Sequence, residues 1–308
     1  MFGWLNRLDP IARAVARNRV AMRERAGLHR RTTALPDGRR VVYLDAETDR
    51  PPLVLLHGIG ASKDHWPRLA HRLEGRFRIV APDLPGFGES DRTGPFDLPA
   101  QAEAVRAFVD ELGIDRFHLA GSSMGGRVAA EVAARHPERV RTLWLLDPAG
   151  ARGEALSEMI QTVQAGGDVP LFAKTGPEYA AVVAYTMETP PPVPRVALRV
   201  LGAEMRANYD LHLQIFRQMA EAFAVGPTTE ALLAGVDVPT LVTWGAADRV
   251  LHPSGAHTIA AAMPDARPHV MPGVGHLPHL ENPDDAADAY LAFLQGVAER
   301  RPERLADR

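Results

Sequence analysis

From about residue 41 onward, short apolar runs alternate with stretches in which apolar side chains recur every three or four positions. Residues 41–44, 53–57, 77–81, 117–120, 143–146, 240–244 and 269–271 read as strands. Helical spacing falls at residues 66–73, 100–112, 125–135, 254–262 and 284–294. This alternation builds βαβ units, so the pattern predicts an α/β fold with a mostly parallel central sheet and helices on both faces. Ligands of such sheets sit outside the carboxyl ends of the strands. The residues just after each strand are therefore the candidates for chemistry.

One stretch breaks the rhythm. Residues 151–234 separate two predicted strands by far more than an ordinary connection. They are rich in Met and aromatic side chains and carry a proline-rich hinge at residues 190–194. An inserted helical cap over the strand ends is the simplest arrangement. The expected organisation is a basic amphipathic helix at 1–27, a core at 28–150 and 235–298, the cap at 151–234 and a tail at 299–308.

Composition narrows the chemistry. With 46% hydrophobic and 24% charged residues, the chain is an ordinary globular protein. It has no cysteine, which excludes disulfides, Cys-based zinc or iron–sulfur sites and a thiol nucleophile. The net charge of -3 hides an asymmetry, because residues 1–31 carry eight Arg against Asp9 and Glu24. Phe2, Trp4, Leu5, Leu8, Ile11, Val15 and Met22 recur at helical spacing through that basic segment. Such a helix can lie on an anionic lipid surface, where each Arg contributes about 1 kcal/mol. The rest of the chain is acidic, so nucleic acid is not an expected partner. No apolar run approaches the ~20 residues that span a bilayer, and arginines interrupt any signal-like run near the start. The expected location is cytoplasmic, with peripheral contact at the inner face of the membrane through residues 1–27.

The sharpest signal is Gly121-Ser122-Ser123-Met124-Gly125, placed between a predicted strand and a predicted helix. A tight strand-to-helix turn strains the backbone at the serine and leaves room only for glycine two residues to either side. It lifts the Ser123 hydroxyl into the open at the positive end of a helix. Ser122 fits less well, because Met124 would fill one of its small-residue positions. A serine nucleophile needs a base, and the base needs an orienting acid. His276, in a glycine-rich loop after the 269–271 strand, is the candidate base. Asp248, just past the 240–244 strand, is the candidate acid, and Asp147, which ends another strand before Pro148, is the alternative. His279 lacks a carboxylate or Cys partner at ligand spacing, so no metal is expected. The oxyanion hole should come from the backbone N–H groups of Met124 and of Ile59 in His57-Gly58-Ile59-Gly60, each donor worth about 3 kcal/mol in the transition state. His57 reads as a brace for that turn.

These landmarks, with Asp83-Leu84-Pro85-Gly86-Phe87-Gly88-Glu89-Ser90, resemble the α/β-hydrolase superfamily over residues 28–298. Residues 61–66, 147–150 and 250–256 are most similar to its monoacylglycerol lipase and carboxylesterase branch. The resemblance implies the α/β-hydrolase fold with a helical cap, a Ser123–His276–Asp248 triad, an acyl-enzyme intermediate, a small acyl ester as substrate and no cofactor. Members of that branch that are membrane-anchored carry a spanning N-terminal segment, which has no counterpart here. Epoxide hydrolases and haloalkane dehalogenases place an Asp where Ser123 stands. A carbon–carbon bond hydrolase of aromatic ring-cleavage products is the enzymatic alternative, and a non-catalytic ligand receptor on the same scaffold is the alternative of another class.

Overall fold

The structure is a computed structural model that describes residues 9–306. The N-terminal helix α1 (Pro10–Arg25) starts where Asp9 caps it, its Oδ1 accepting from Ile11 N at 2.8 Å, with Pro10 in the first turn. Phe2, Trp4, Leu5, Arg7 and Leu8 of the expected basic helix lie outside the described residues. Strands β1 (His29–Ala34), β2 (Arg40–Asp45) and β3 (Pro52–Leu56) follow. Then come α2 (Pro67–Arg72), β4 (Arg78–Pro82), α3 (Leu98–Glu111), β5 (Phe117–Ser122), α4 (Met124–Arg135) and β6 (Val140–Leu146).

Five helices are inserted next: α5 (Glu158–Gln164), α6 (Gly176–Thr186), α7 (Arg195–Ala207), α8 (Tyr209–Val225) and α9 (Thr229–Leu233). The chain resumes the sheet with β7 (Thr240–Gly245), α10 (Gly255–Ala262) and β8 (Ala266–Met271). It closes with α11 (Pro278–Glu281), α12 (Pro283–Arg300) and α13 (Pro302–Leu305).

The eight strands order as β1-β2-β4-β3-β5-β6-β7-β8. β1 pairs antiparallel with β2 and β2 with β4, and the remaining neighbours are parallel. The parallel strands β3 and β5 to β7 are buried almost throughout, which is why they appear in sequence as unbroken apolar runs. β1 is different. Its His-Arg-Arg-Thr-Thr-Ala sequence is mostly exposed at a sheet edge, where charge discourages pairing with another chain. It has no apolar alternation and was invisible to the hydrophobic pattern.

Each face of the sheet carries its own core. Val105 and Phe108 of α3, Val128 of α4 and Ile259 of α10 fill one. Trp66, Leu69 of α2, and Tyr290 and Phe293 of α12 fill the other, where the Tyr290 ring stacks on Trp144 of β6 at 4.3 Å. The last helix is docked on the sheet, since Arg141 on β6 donates to the carbonyl of Leu305 at 2.7 Å.

Helix α1 packs on α2 and α7. Arg19 pairs with Glu204 of α7 and Arg23 with Asp64, which follows the β3 turn. Part of its positive charge is therefore matched within the chain. The two ends of the cap are tied together. Thr229 donates its N–H to the Gly150 carbonyl at 2.9 Å and its hydroxyl to the Ala149 carbonyl at 2.7 Å. Arg127 of α4, itself buried, reaches the Pro227 carbonyl at 2.9 Å.

Candidate active site

Ser123 sits between β5 and α4 with φ 54° and ψ -117°, a conformation that non-glycine residues avoid. The crossing of strand and helix is too close for side chains at the flanking positions. A Cβ on Gly121 would lie 2.2 Å from the Gly125 carbonyl oxygen, and one on Gly125 would lie 2.2 Å from that of Leu56. The backbone of Ser123 is held by its N–H, which donates to the Leu146 carbonyl at 3.0 Å.

Asp248 and His276 leave the carboxyl ends of β7 and β8. The loop carrying Asp248 is bonded to the one carrying His276, with Ala247 N donating to the Val274 carbonyl at 2.9 Å. His276 Nδ1 lies 2.8 Å from Asp248 Oδ2, both groups buried. A carboxylate only accepts, so Nδ1 carries the hydrogen and Nε2 is left with a free lone pair. Asp248 accepts three further hydrogen bonds: Oδ1 from Val250 N at 2.8 Å and Leu251 N at 3.0 Å, and Oδ2 from Trp244 Nε1 at 3.1 Å.

Ser123, His276, Gly58 and Ile59 line one cavity of about 130 Å³. The cap supplies its apolar wall through Leu171, Val182, Val183, Met187 and Met205. Among the described residues, no other group takes the N–H of Ile59 or Met124 in a hydrogen bond. His57 braces the turn beneath. Its Nε2 accepts from Leu84 N at 3.0 Å, so Nδ1–H donates to the Gly58 carbonyl at 2.8 Å. Burial pushes its imidazole down to about 4, which keeps it neutral. A larger surface hollow of about 930 Å³ lies at the opposite, amino-terminal end of β5 to β7. It is walled by charged groups such as Arg139, Asp237 and Arg301 and contains none of these residues.

These elements decide the family. The sequence profile of the alpha/beta hydrolase fold matches residues 51–283. The chain belongs to the α/β-hydrolase family. It is 31% identical to Lipase 1 of Psychrobacter immobilis over 277 residues, which cover 88% of this chain and 86% of that one. Monoacylglycerol lipase ABHD6 of Homo sapiens is 28% identical over 261 residues, covering 80% of this chain and 76% of the relative. Among solved structures, a membrane phospholipase A described as a bacterial virulence factor aligns with a TM-score of 0.88 and 36% identity. That match covers 93% of this chain and 92% of the other.

As in α/β-hydrolases generally, the groups at stake come from loops far apart in sequence, and several had no local signal. In sequence Trp244 reads only as the end of a strand, yet its indole reaches Asp248. Lys63 is buried and binds Asp83 through Nζ at 2.7 Å and through its backbone N at 2.7 Å, which pins the segment after the Ile59 turn. Glu281 bonds Gly275 next to His276 and also the cap at Glu188 and Thr189.

Asp147 and His279 find other surroundings. The Asp147 carboxylate is buried beside Asp248 and His276, with one candidate ligand atom of each within 4.8 Å of the others. In this trio His276 Nδ1 and both oxygens of Asp248 already serve in N–H hydrogen bonds, so a cation would have to displace those donors. His279 packs its ring on Trp66 at 4.5 Å, and burial holds it well below the ordinary imidazole range.

Proposed function

We propose that this α/β-hydrolase cleaves carboxylic acyl esters through Ser123, His276 and Asp248, by way of an acyl-enzyme. The chain is a carboxylic ester hydrolase in its coarse class, as its lipase relatives at 31% identity indicate. The finer reading rests on one observation: Ser123, on its strained turn, shares a cavity with a His276 ring whose far nitrogen is bonded to Asp248 at 2.8 Å. In this scheme His276 Nε2 removes the Ser123 proton as Oγ attacks the ester carbonyl. Asp248 fixes the tautomer and offsets the imidazolium charge. The N–H groups of Ile59 and Met124 stabilise the tetrahedral oxyanion, and His276 returns the proton to the departing alcohol. Water then attacks the acyl-enzyme by the same route, with no cofactor required.

The lining of the cavity supports this substrate class. Aliphatic and thioether side chains predominate among the cap residues that line it, beside Tyr179 and Thr186; these suit an acyl chain, with Met187 and Met205 able to adapt. A monoacylglycerol-like ester fits this reading. In this reading residues 28–150 and 235–298 serve as the catalytic core and 151–234 as its lid, with the helix Pro10–Arg25 on its flank. Among the described residues no helix is long and apolar enough to cross a membrane. Arg13, Arg17 and Arg25 of α1 are exposed, as is Val20 at 46%. They supply the surface for peripheral contact with anionic lipid at the inner face of a membrane.

The test is a fluorophosphonate adduct mapped by peptide mass, with turnover of p-nitrophenyl esters, a monoacylglycerol and a ring-cleavage dienoate measured alongside. Labelling at Ser123 that vanishes in Ser123→Ala, with turnover of the esters, is the expected result. Labelling that survives Ser123→Ala overturns the nucleophile. Turnover of the dienoate alone would make the protein a carbon–carbon hydrolase, and neither labelling nor turnover a receptor.

A further inference from the structure

Asp147 ends β6 at φ 45°, a left-handed conformation for a non-glycine residue, directly before Pro148. Its N–H continues the ladder to the Thr243 carbonyl of β7 at 3.0 Å. The side chain is 0% exposed. Oδ1 accepts from Gly245 N at 2.9 Å, whereas Oδ2, also buried, meets no donor among the described residues. Buried carboxylate oxygens without a donor are rare, because their desolvation is not offset. The Asp147 carboxyl lies beside the carboxylate of Asp248, one oxygen of each within 4.8 Å of the other.

Two carboxylates this close in a dry site cannot both be ionised. The hydrogen bonds decide which keeps the charge. Asp248 accepts four, from Val250 N, Leu251 N, Trp244 Nε1 and His276 Nδ1, and Asp147 accepts one. Each N–H aimed at an oxygen favours its ionised form, so the proton belongs on Asp147. Placed on Oδ2, it turns an orphan acceptor into a donor with a partner.

We infer that Asp147 is a positioning residue that carries a proton at neutral pH and donates it in a hydrogen bond to the ionised Asp248. The inference rests on the triad reading given above, and it makes Asp147 a support of the acid rather than its substitute. Burial first, then the charge of Asp248 and more distantly that of Glu281 on α11, push the Asp147 carboxyl well above its ordinary range, against the pull of Gly245 N–H. His276 faces the same pair from the β8 loop and is bonded to Asp248. A neutral Asp147 holds the Asp248 carboxylate in the rotamer that meets His276.

The experiment compares Asp147→Asn, Asp147→Leu and Asp248→Asn by ester turnover, fluorophosphonate labelling rate and infrared difference spectra. Asparagine reproduces a protonated aspartate, since its carbonyl accepts from Gly245 and its amide donates to Asp248. Asp147→Asn should keep kcat/KM within about threefold, and Asp147→Leu should lose about tenfold to a hundredfold, the worth of one hydrogen bond to a charged group. In Asp147→Leu the acidic limb of kcat/KM should move to higher pH, because a less neutralised Asp248 holds the imidazolium more tightly. Asp248→Asn should lose about 10⁴-fold. The spectrum of the parent at neutral pH minus that of Asp147→Asn should contain a protonated-carboxyl C=O stretch, and this readout stands even if Asp147→Leu does not fold. A loss in Asp147→Asn as deep as in Asp248→Asn, the lack of that stretch, or parental activity in Asp147→Leu each overturns the inference. Parental labelling in Asp248→Asn overturns the triad reading instead.

Discussion

The indole Nε1–H of Trp244 donates to Asp248 Oδ2 at 3.1 Å, sharing that oxygen with His276 Nδ1 at 2.8 Å. Trp244 lies on the last turn of β7 and its ring packs over Gly255 at the start of α10, where a Cβ would come within 2.5 Å of it. The ring is thus held in place, and its N–H is shared between Asp248 Oδ2 and the Leu251 carbonyl at 3.2 Å. Loss of one hydrogen bond to a buried charge costs roughly 1.5 to 3 kcal/mol. Trp244→Phe should therefore lower kcat/KM about tenfold or more. The acidic limb of the pH profile should rise with it, since Asp248 becomes a stronger partner for the imidazolium. An unchanged profile with an unchanged rate would remove Trp244 from the site.

A second prediction concerns the segment that follows the Ile59 turn. Lys63 is 1% exposed and Asp83 0%. Lys63 Nζ also bonds Glu89 Oε1 at 2.8 Å, and Glu89 N returns to Asp83 Oδ2 at 2.8 Å. Burial pushes the Asp83 carboxyl up even beside this cation, a sign that desolvation weighs heavily here. Removing one member of such a pair leaves the other charge buried alone, at a cost of about 3 to 5 kcal/mol. Lys63→Met should lower unfolding free energy by that amount in urea titrations. Lys63→Met with Asp83→Leu should recover only part of it, because two backbone N–H groups then lose their acceptor. A loss under about 1 kcal/mol for Lys63→Met would show the pair to be exposed in effect.

The contrast between these groups and Ser123 explains what the sequence disclosed. The turn that carries the proposed nucleophile is local: the strain at Ser123, the flanking glycines and the strand-to-helix change all fall within five residues, so this geometry was legible. Asp248 and His276 were legible more weakly, through position after strands and order along the chain, and Asp147 competed with Asp248 on the same criterion. What separates those two carboxylates is the number of N–H groups aimed at each, a long-range property that no spacing carries. Glu281, Lys63 and Trp244 act through partners that only folding brings near. Strand β1 escaped for a different reason, since its exposed edge position removes the apolar alternation that marks a strand.

Acid should weaken the fold in a defined window. His57 and His212 both pack on Phe87, with ring centroids 5.3 and 4.7 Å away. Burial pushes each imidazole from its ordinary 6.5 down to about 4. His65 and His279 are shifted the same way. Above the unfolded value neither state binds the proton, so stability is level there. As pH falls from 6.5 to about 4 the unfolded chain takes protons that the folded one refuses, and each of His57 and His212 should cost up to about 3 kcal/mol. His212 is buried and stacked on Phe87, so His212→Phe keeps an aromatic ring there and removes the titrating group. That variant should match the parent near neutrality and lose about 3 kcal/mol less by the acid end of the window. Parallel curves of unfolding free energy against pH for the two proteins would contradict this account.

Glu281 joins the His276 loop to the cap. Its Oε1 accepts from Gly275 N at 2.8 Å, and its Oε2 accepts from Glu188 N at 2.7 Å and Thr189 N at 2.8 Å. His276 N reinforces the same junction by donating to the Thr186 carbonyl at 2.7 Å. The carboxylate therefore ties the placement of His276, the proposed base, to the seating of the cap hinge before Arg195. Glutamine cannot replace it, because one of its two ends would present N–H groups to N–H groups. Glu281→Gln and Glu281→Ala should each lower kcat and raise KM, with a combined loss in kcat/KM of about tenfold or more for the unpaired backbone donors. The same variants should be cut faster by trypsin at the exposed Arg195, since opening of the junction frees the adjoining hinge. If kcat falls without any change in KM or in cleavage at Arg195, Glu281 orients the His276 loop alone and the cap is seated by other contacts.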